Sequence, residues 1–143
     1  MTYHEWLISK EACGGAIKWK QDRDMITTWR ECKRGDWLLW WLENAGLEFS
    51  TLRRIACAIV RRTPLSDGRT VWDLLTDERS RRSVEVAELH CDGLATDEQL
   101  AAARAVAGAA AGAAAGAAQC CIIREIISED QLIELMAKEE VTA

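Results

Sequence analysis

Phenylalanine and tyrosine are almost missing from this chain, with Phe49 and Tyr3 the only examples beside seven tryptophans. Any aromatic core must therefore be made mainly of indole rings. Histidine is nearly as scarce, with only His4 and His90. Neither CxxC nor HxxxH spacing occurs, so the compact ligand sets of structural zinc sites are absent, and no metal or other cofactor is expected. The glycines follow no Gly-x-Gly-x-x-Gly order and precede no Lys-Ser/Thr pair, which excludes the common phosphate loops. No convincing alternation of polar and apolar residues marks a strand. What recurs is a period near 3.6, which predicts an all-helical fold. Met1-Thr2-Tyr3-His4-Glu5-Trp6 lacks a basic region followed by an apolar one, so no signal peptide is expected and a cytoplasmic location is the default.

A chain of 143 residues suits one domain, expected to span residues 1–143 and to be well packed over 10–137. At this length roughly two thirds of the unfolded surface is buried on folding, so neither metal nor disulfides are needed. The six cysteines, at 13, 32, 57, 91, 120 and 121, read as reduced thiols, several of them inside helical patterns. Charge is uneven along the chain. Residues 1–71 carry 12 basic and 9 acidic groups, and residues 72–143 carry 6 and 14. The acidic second half disfavours phosphate backbones and suits a basic protein partner. Arg53, Arg54, Arg61 and Arg62 with Lys33-Arg34 are the candidate nucleic-acid patch. That patch is small beside the acidic half, and no nucleic-acid partner is expected.

The apolar spacing predicts a bundle of about six to eight helices around a Trp-rich central helix and an Ala/Gly-rich helix. Ala12, Ala16 and Trp19 share a face of a first helix running to about Lys20. Asp22 is placed to cap a second, with Met25, Ile26, Trp29 and Cys32 inward and its end near Gly35. Asp36 is placed to cap the third and central helix, where Trp37 lies over Trp40 and Trp41, and Leu38, Leu39 and Leu42 cover much of the remaining circumference. A fourth helix, capped by Ser50 and running through Arg62, turns Leu52, Ile55, Ala56, Ile59 and Val60 inward and stops at Thr63-Pro64. Val71, Trp72, Leu74 and Leu75 form a short helix, and a fifth substantial helix runs from about Asp77 to Cys91 on a stripe of Val84, Ala87 and Cys91. Ser128-Glu129-Asp130-Gln131 has the form of a capping box ahead of Leu132, Leu135 and Met136, and residues from Lys138 onward are expected to fray.

Thr96-Asp97-Glu98-Gln99 has the same form and launches an alanine tract, Leu100 to Ala118, with glycines at 108, 112 and 116. Spacing of four puts Gly108, Gly112 and Gly116 on one face, where a neighbour can approach closely. Alanine and glycine contribute little transfer energy, and Arg104 and Gln119 interrupt and bound the run, so a membrane span is not expected. Alanine is also the best helix former, which argues against a flexible linker. The tract is expected to serve as a smooth ridge against which Trp19, Trp29, Trp37, Trp40 and Trp41 pack as structural core.

Chemistry is thinly represented. Asp73 with Asp77 and Glu85 with Glu88 sit at helical spacing, an arrangement that reads first as a solvated face. An enzymatic alternative would gather His90 or Cys91 with such carboxylates in a pocket. Recognition is the better use of this composition, because Trp and Arg dominate binding hot spots. The candidate partner-binding residues are Asp73, Asp77, Glu78, Glu85 and Glu88, with Arg30, Arg34 and Trp72; Trp6 and Arg69 are further candidates.

Ala12-Cys13-Gly14-Gly15-Ala16-Ile17-Lys18-Trp19, Trp29-Arg30-Glu31-Cys32 and Asp36-Trp37-Leu38-Leu39-Trp40 together resemble a family of small helical immunity proteins found in bacterial polymorphic-toxin loci and in phage genomes. Val71 to Arg82, Val84-Glu85-Val86-Ala87-Glu88 and Asp92 to Leu100 are similar to the same family, over about residues 10 to 125 in all. The resemblance implies an all-helical protein without enzymatic activity that binds and blocks another protein, either a toxin or, for a phage-borne inhibitor, a bacterial defence effector such as a CRISPR effector. It transfers no catalytic residues. A monomer or homodimer that contacts neither membrane nor nucleic acid is expected.

Overall fold

The computed structural model describes residues 1–65, 67–99 and 116–142. Nine helices are found among the described residues: α1 Tyr3–Ser9, α2 Gly14–Lys20, α3 Met25–Glu31, α4 Gly35–Asn44, α5 Phe49–Arg62, α6 Val71–Leu74, α7 Glu78–Cys91, α8 Gly116–Ile126 and α9 Glu129–Lys138. No strand occurs among these residues, and the single β-bridge, Pro64 to Thr70, closes the turn before α6. The all-helical expectation holds. The helices outnumber the six to eight expected because the N-terminal region is cut into short pieces. One break falls between α1 and α2, where Glu11 takes a φ of 58°.

Capping explains where the pieces start, and it shifts several expected boundaries. Thr2 and Glu5 form a capping box on α1. Asp24, rather than Asp22, caps α3 by accepting from Thr27 N at 2.7 Å. Asp36 lies inside the first turn of α4 and is bound to Arg34, so it is not the cap. Helix α5 begins at Phe49 with Glu48 in the cap position, two residues before the expected cap Ser50. Both later boxes form as expected: Gln99 N donates to Thr96 Oγ1 at 3.1 Å, and Gln131 N to Ser128 Oγ at 3.2 Å.

Three rings are fully enclosed: Trp6, Trp29 and Trp41. Trp41 stacks on Tyr3 with centroids 4.6 Å apart and meets Trp29 edge-on at 5.5 Å, while its Nε1 donates to Met136 Sδ at 3.1 Å. Leu38, Leu42, Ile55, Ile123, Ile127 and Leu132 complete the centre. Trp19, Trp37 and Trp40 are only half-buried and pack against this core from outside, which corrects their assignment as core rings. On α4, Leu38, Trp41 and Leu42 take the innermost positions, leaving Trp37 and Trp40 on the flank. Packing also passes the expected limits of 10–137, for Tyr3, Trp6, Leu7 and Val141 belong to the core and Val141 N donates to Met136 O. The end of the chain therefore packs through Val141 instead of fraying from Lys138.

Helices α4 and α5 pack on α8. Gly35, at the head of α4, is the close approach: a Cβ there would lie 2.6 Å from Gln119 Cβ on α8. The proposed ridge at Gly108 and Gly112 lies outside the described residues, and Gly116 is the first residue of α8.

A second layer, α5 with α6 and α7, is held differently. Val71, Val86 and Cys57 are buried there but are not part of the central cluster. Ala56 is exposed, and α7 buries Ser83 and Val86 while Val84, Ala87 and Cys91 are half-covered, so both expected inward stripes are rotated. Arginines of α5 make the remaining links. Arg61 forms a bidentate pair with Glu88, both contacts at 2.7 Å. Arg54 reaches Asp92 at 2.6 Å and Cys91 O at 2.9 Å, and Arg62 pairs with Glu125 of α8.

Candidate recognition surface

Helices α2, α3 and α4 with the C-terminal half of α8 enclose an open cleft of about 600 Å³. Five cationic side chains line it, Arg23, Arg30, Lys33, Arg34 and Arg124, against one acid, Glu31. Between them stand two half-buried rings, Trp19 of α2 and Trp37 of α4, tilted at 54° with centroids 6.1 Å apart. The Arg23 guanidinium lies 4.4 Å from the Trp19 centroid, and that of Arg34 lies 4.5 Å from Trp37. Each cation is thereby held over a ring face in a fixed position.

The arginines are further oriented by hydrogen bonds. Arg23 Nε donates to Glu31 at 2.7 Å, Arg30 makes a bidentate pair with Glu129 of α9, and Arg34 does the same with Asp36. These contacts hold the Glu129 and Asp36 carboxyls below the usual carboxylate range, with the arginine hydrogen bond the largest cause in each. Arg124 spends its donors on the carbonyls of Trp29 and Cys32, at 2.9 and 2.5 Å, closing the C-terminal end of α3 against α8. Lys33 is exposed and has no ion-pair partner among the described residues.

At the floor, Cys32 meets Cys120 of α8. The hydrogen bond with the Cys120 thiol, aided by Arg124, holds the Cys32 thiol below the usual thiol range, while the same contact and burial push Cys120 up. Both sulfurs are buried, whereas Cys13 and Cys121 are exposed, and all six thiols are free.

On the other side of the two rings lies a cavity of about 470 Å³ that shares Trp19, Trp37, Cys32 and Arg34 with the cleft. Trp40, Trp41 and Tyr3 belong to its wall, together with the buried Lys20.

The structure separates the candidate partner-binding residues into two groups. Arg30 and Arg34 line the cleft. Asp73, Asp77, Glu78, Glu85, Glu88 and Trp72 all lie on or beside α6 and α7, and most are occupied by the chain itself. Asp73 closes a capping box with Thr70, Asp77 caps α7 and binds Arg79, Glu85 is 3.5 Å from Arg82, and Glu88 holds Arg61. Trp72 is sandwiched by Arg61 at 4.0 Å and Arg81 at 5.1 Å. Glu78 is exposed in the first turn of α7.

Of the further candidates, Trp6 is enclosed, with Nε1 donating to Glu139 at 3.1 Å, and Arg69 pairs with Asp67. The supposed nucleic-acid patch is divided too, because the α5 arginines face α7 and α8 while Lys33 and Arg34 lie on the cleft. His90 is held between Arg53 at 2.9 Å and Asp97 at 2.7 Å, and the Cys91 thiol donates to Ser50 O. Among the described residues no group of three or more His, Cys, Asp or Glu could hold a metal ion. No helix among them is long and apolar enough to cross a membrane.

Neither Arg23 nor Arg124 is a candidate from the sequence, and Lys33 is one only beside Arg34 in the nucleic-acid patch. Arg124 is remote in the chain, and nothing local marks it as a neighbour of Arg30. Lys33 was visible only as part of a basic dipeptide. No family model, no curated protein and no solved structure matches this chain.

Proposed function

We propose that this protein is a non-enzymatic, protein-binding inhibitor of the immunity type, and that it engages its partner through the Trp19/Trp37 cleft. The observation that carries this reading is the pair of half-buried indoles each covered by an oriented guanidinium. Rigid Trp and Arg side chains lose little freedom on binding and dominate the energetics of interfaces. An excess of cations at the cleft favours an acidic projection of the partner, with an apolar residue against the rings. This moves the proposed contact from the acidic helix α7 to the cleft. The resemblance to immunity proteins supports a toxin or a bacterial defence effector as partner.

Site-specific photocrosslinking tests the assignment. A crosslinker at Lys33 should capture one protein stoichiometrically, and the same group at Glu78 should not. The variant Arg30→Glu/Lys33→Glu/Arg34→Glu, checked for native helicity, should lose capture and protection of cells from that partner. Retention of full protection by the folded triple variant would remove the cleft from the interface.

A further inference from the structure

The cavity behind Trp37 is chemically unlike the cleft. Lys20, at the end of α2, is 93% hidden from solvent by its neighbours, with a relative exposure of 7%. Its ammonium makes one hydrogen bond, to the carbonyl of Gln21 at 3.2 Å, and lies 5.6 Å from the centroid of the Tyr3 ring. No carboxylate among the described residues lies within 4 Å of it. Tyr3 is equally enclosed at 7% exposure; its hydroxyl makes no hydrogen bond among the described residues and is not sealed from solvent, Thr63 Oγ1 being the buried side-chain oxygen among them without a partner. Both residues line the same space of about 470 Å³, a size typical of small-molecule pockets.

An ammonium and a phenol that line one largely aromatic cavity, each with donor capacity left over, offer a paired site for an acceptor. Among the described residues Lys20 Nζ has only the Gln21 carbonyl as a hydrogen-bond acceptor. Asp36, which also lines the cavity, is committed to Arg34, and Glu11 is exposed. Elsewhere the wall is aromatic, with the faces or edges of Trp19, Trp37 and Trp40 available because none of the three is fully buried. Exposed Cys13 and Gly15 also belong to the lining, so the cavity reaches solvent.

We propose that this cavity is a binding site for a small aromatic monocarboxylate, whose carboxylate accepts from Lys20 Nζ and the Tyr3 hydroxyl while its ring lies among Trp19, Trp37 and Trp40. One ammonium and one hydroxyl match the charge and the two oxygens of a carboxylate. A phosphate, carrying more charge and more hydration, would be left short of donors between indole walls. The site shares Trp19 and Trp37 with the protein-binding cleft, but its ligand is held in the space behind the rings by Lys20 and Tyr3, which do not line the cleft.

Calorimetric titration of the full chain with 3-phenylpropionate and indole-3-propionate, each against its neutral amide, tests the proposal. Saturable one-to-one binding of an acid is expected, with its amide at least about tenfold weaker, and with the indole N–H resonances of Trp19, Trp37 and Trp40 shifting on titration. Lys20→Met should weaken the acid by about tenfold or more and leave the amide unchanged, and Tyr3→Phe should weaken the acid several-fold. Should Lys20→Met fail to fold, the acid-to-amide ratio on the unmodified chain and the Tyr3→Phe variant decide alone. Equal binding of acid and amide, no saturable binding of either acid, or shifts confined to other tryptophans would each overturn the proposal.

Discussion

The two layers of this molecule are assembled from different interactions. Around α4 and α8, stability comes from enclosed rings and aliphatic chains, with Trp6, Trp29, Trp41, Ile123 and Met136 almost wholly out of water. Around α7, few side chains are buried, and the contacts among α5, α6 and α7 include Arg61–Glu88, Arg54–Asp92 and the stacking of Arg61 and Arg81 on Trp72. Burial of large apolar groups contributes several kcal/mol per residue, whereas part-exposed ion pairs contribute about 1 kcal/mol or less. One layer should hold the fold, and the other should open first.

Substitutions can break this contrast in order of size. Trp41→Ala should cost about 3–5 kcal/mol in denaturant unfolding, because the ring contacts Tyr3, Trp29 and Met136 in full enclosure. Trp40→Ala, half-exposed, should cost about 1–2 kcal/mol, and an equal loss at both positions would show that enclosure is not the deciding difference. Gly35→Ala should cost about 1–3 kcal/mol, since a new Cβ collides with Gln119 Cβ and the α4–α8 crossing must widen.

In the outer layer, Arg61→Ala should cost about 1 kcal/mol through lost pairing and stacking, and salt should reduce the difference from the unmodified chain. Hydrogen exchange should report opening of α7 before α8, and simultaneous exchange of both would unite the layers into one cooperative unit.

The smallest expected effect is on pH. Asp67, Asp73 and Asp77 sit below the usual carboxylate range, held there chiefly by Arg69, by the Thr70 N–H and by Arg79. Their folded-state values are lowered, so the unfolded chain binds these protons more readily. The stability they contribute is present above the ordinary carboxylate range and is lost as pH falls through it. Protection of α6 and α7 amides should therefore decline below about pH 4 before that of α8.

The helical class, the stop at Thr63, the caps at Thr96 and Ser128 and the α7 boundaries were legible because each is written within a few neighbouring residues. Burial was less so. Trp37, Trp40 and Trp41 are chemically identical, and only the direction from which α1, α3 and α9 arrive makes Trp41 the innermost. Asp22 and Asp24 are both competent caps, and the choice depends on where α2 ends. The cleft was half visible, in Arg30 and Arg34, but Arg124 joins it by folding from a distant helix. Lys20 carried no local sign that it would be enclosed beside Tyr3.

The arginines of α5 suggest a consequence for biosynthesis. Arg54, Arg61 and Arg62 are translated well before Asp92, Glu88 and Glu125, the groups that neutralise them in the finished fold. A nascent chain halted after α5 therefore displays uncompensated guanidinium groups, which vanish from the surface charge only when α7 and α8 leave the ribosome.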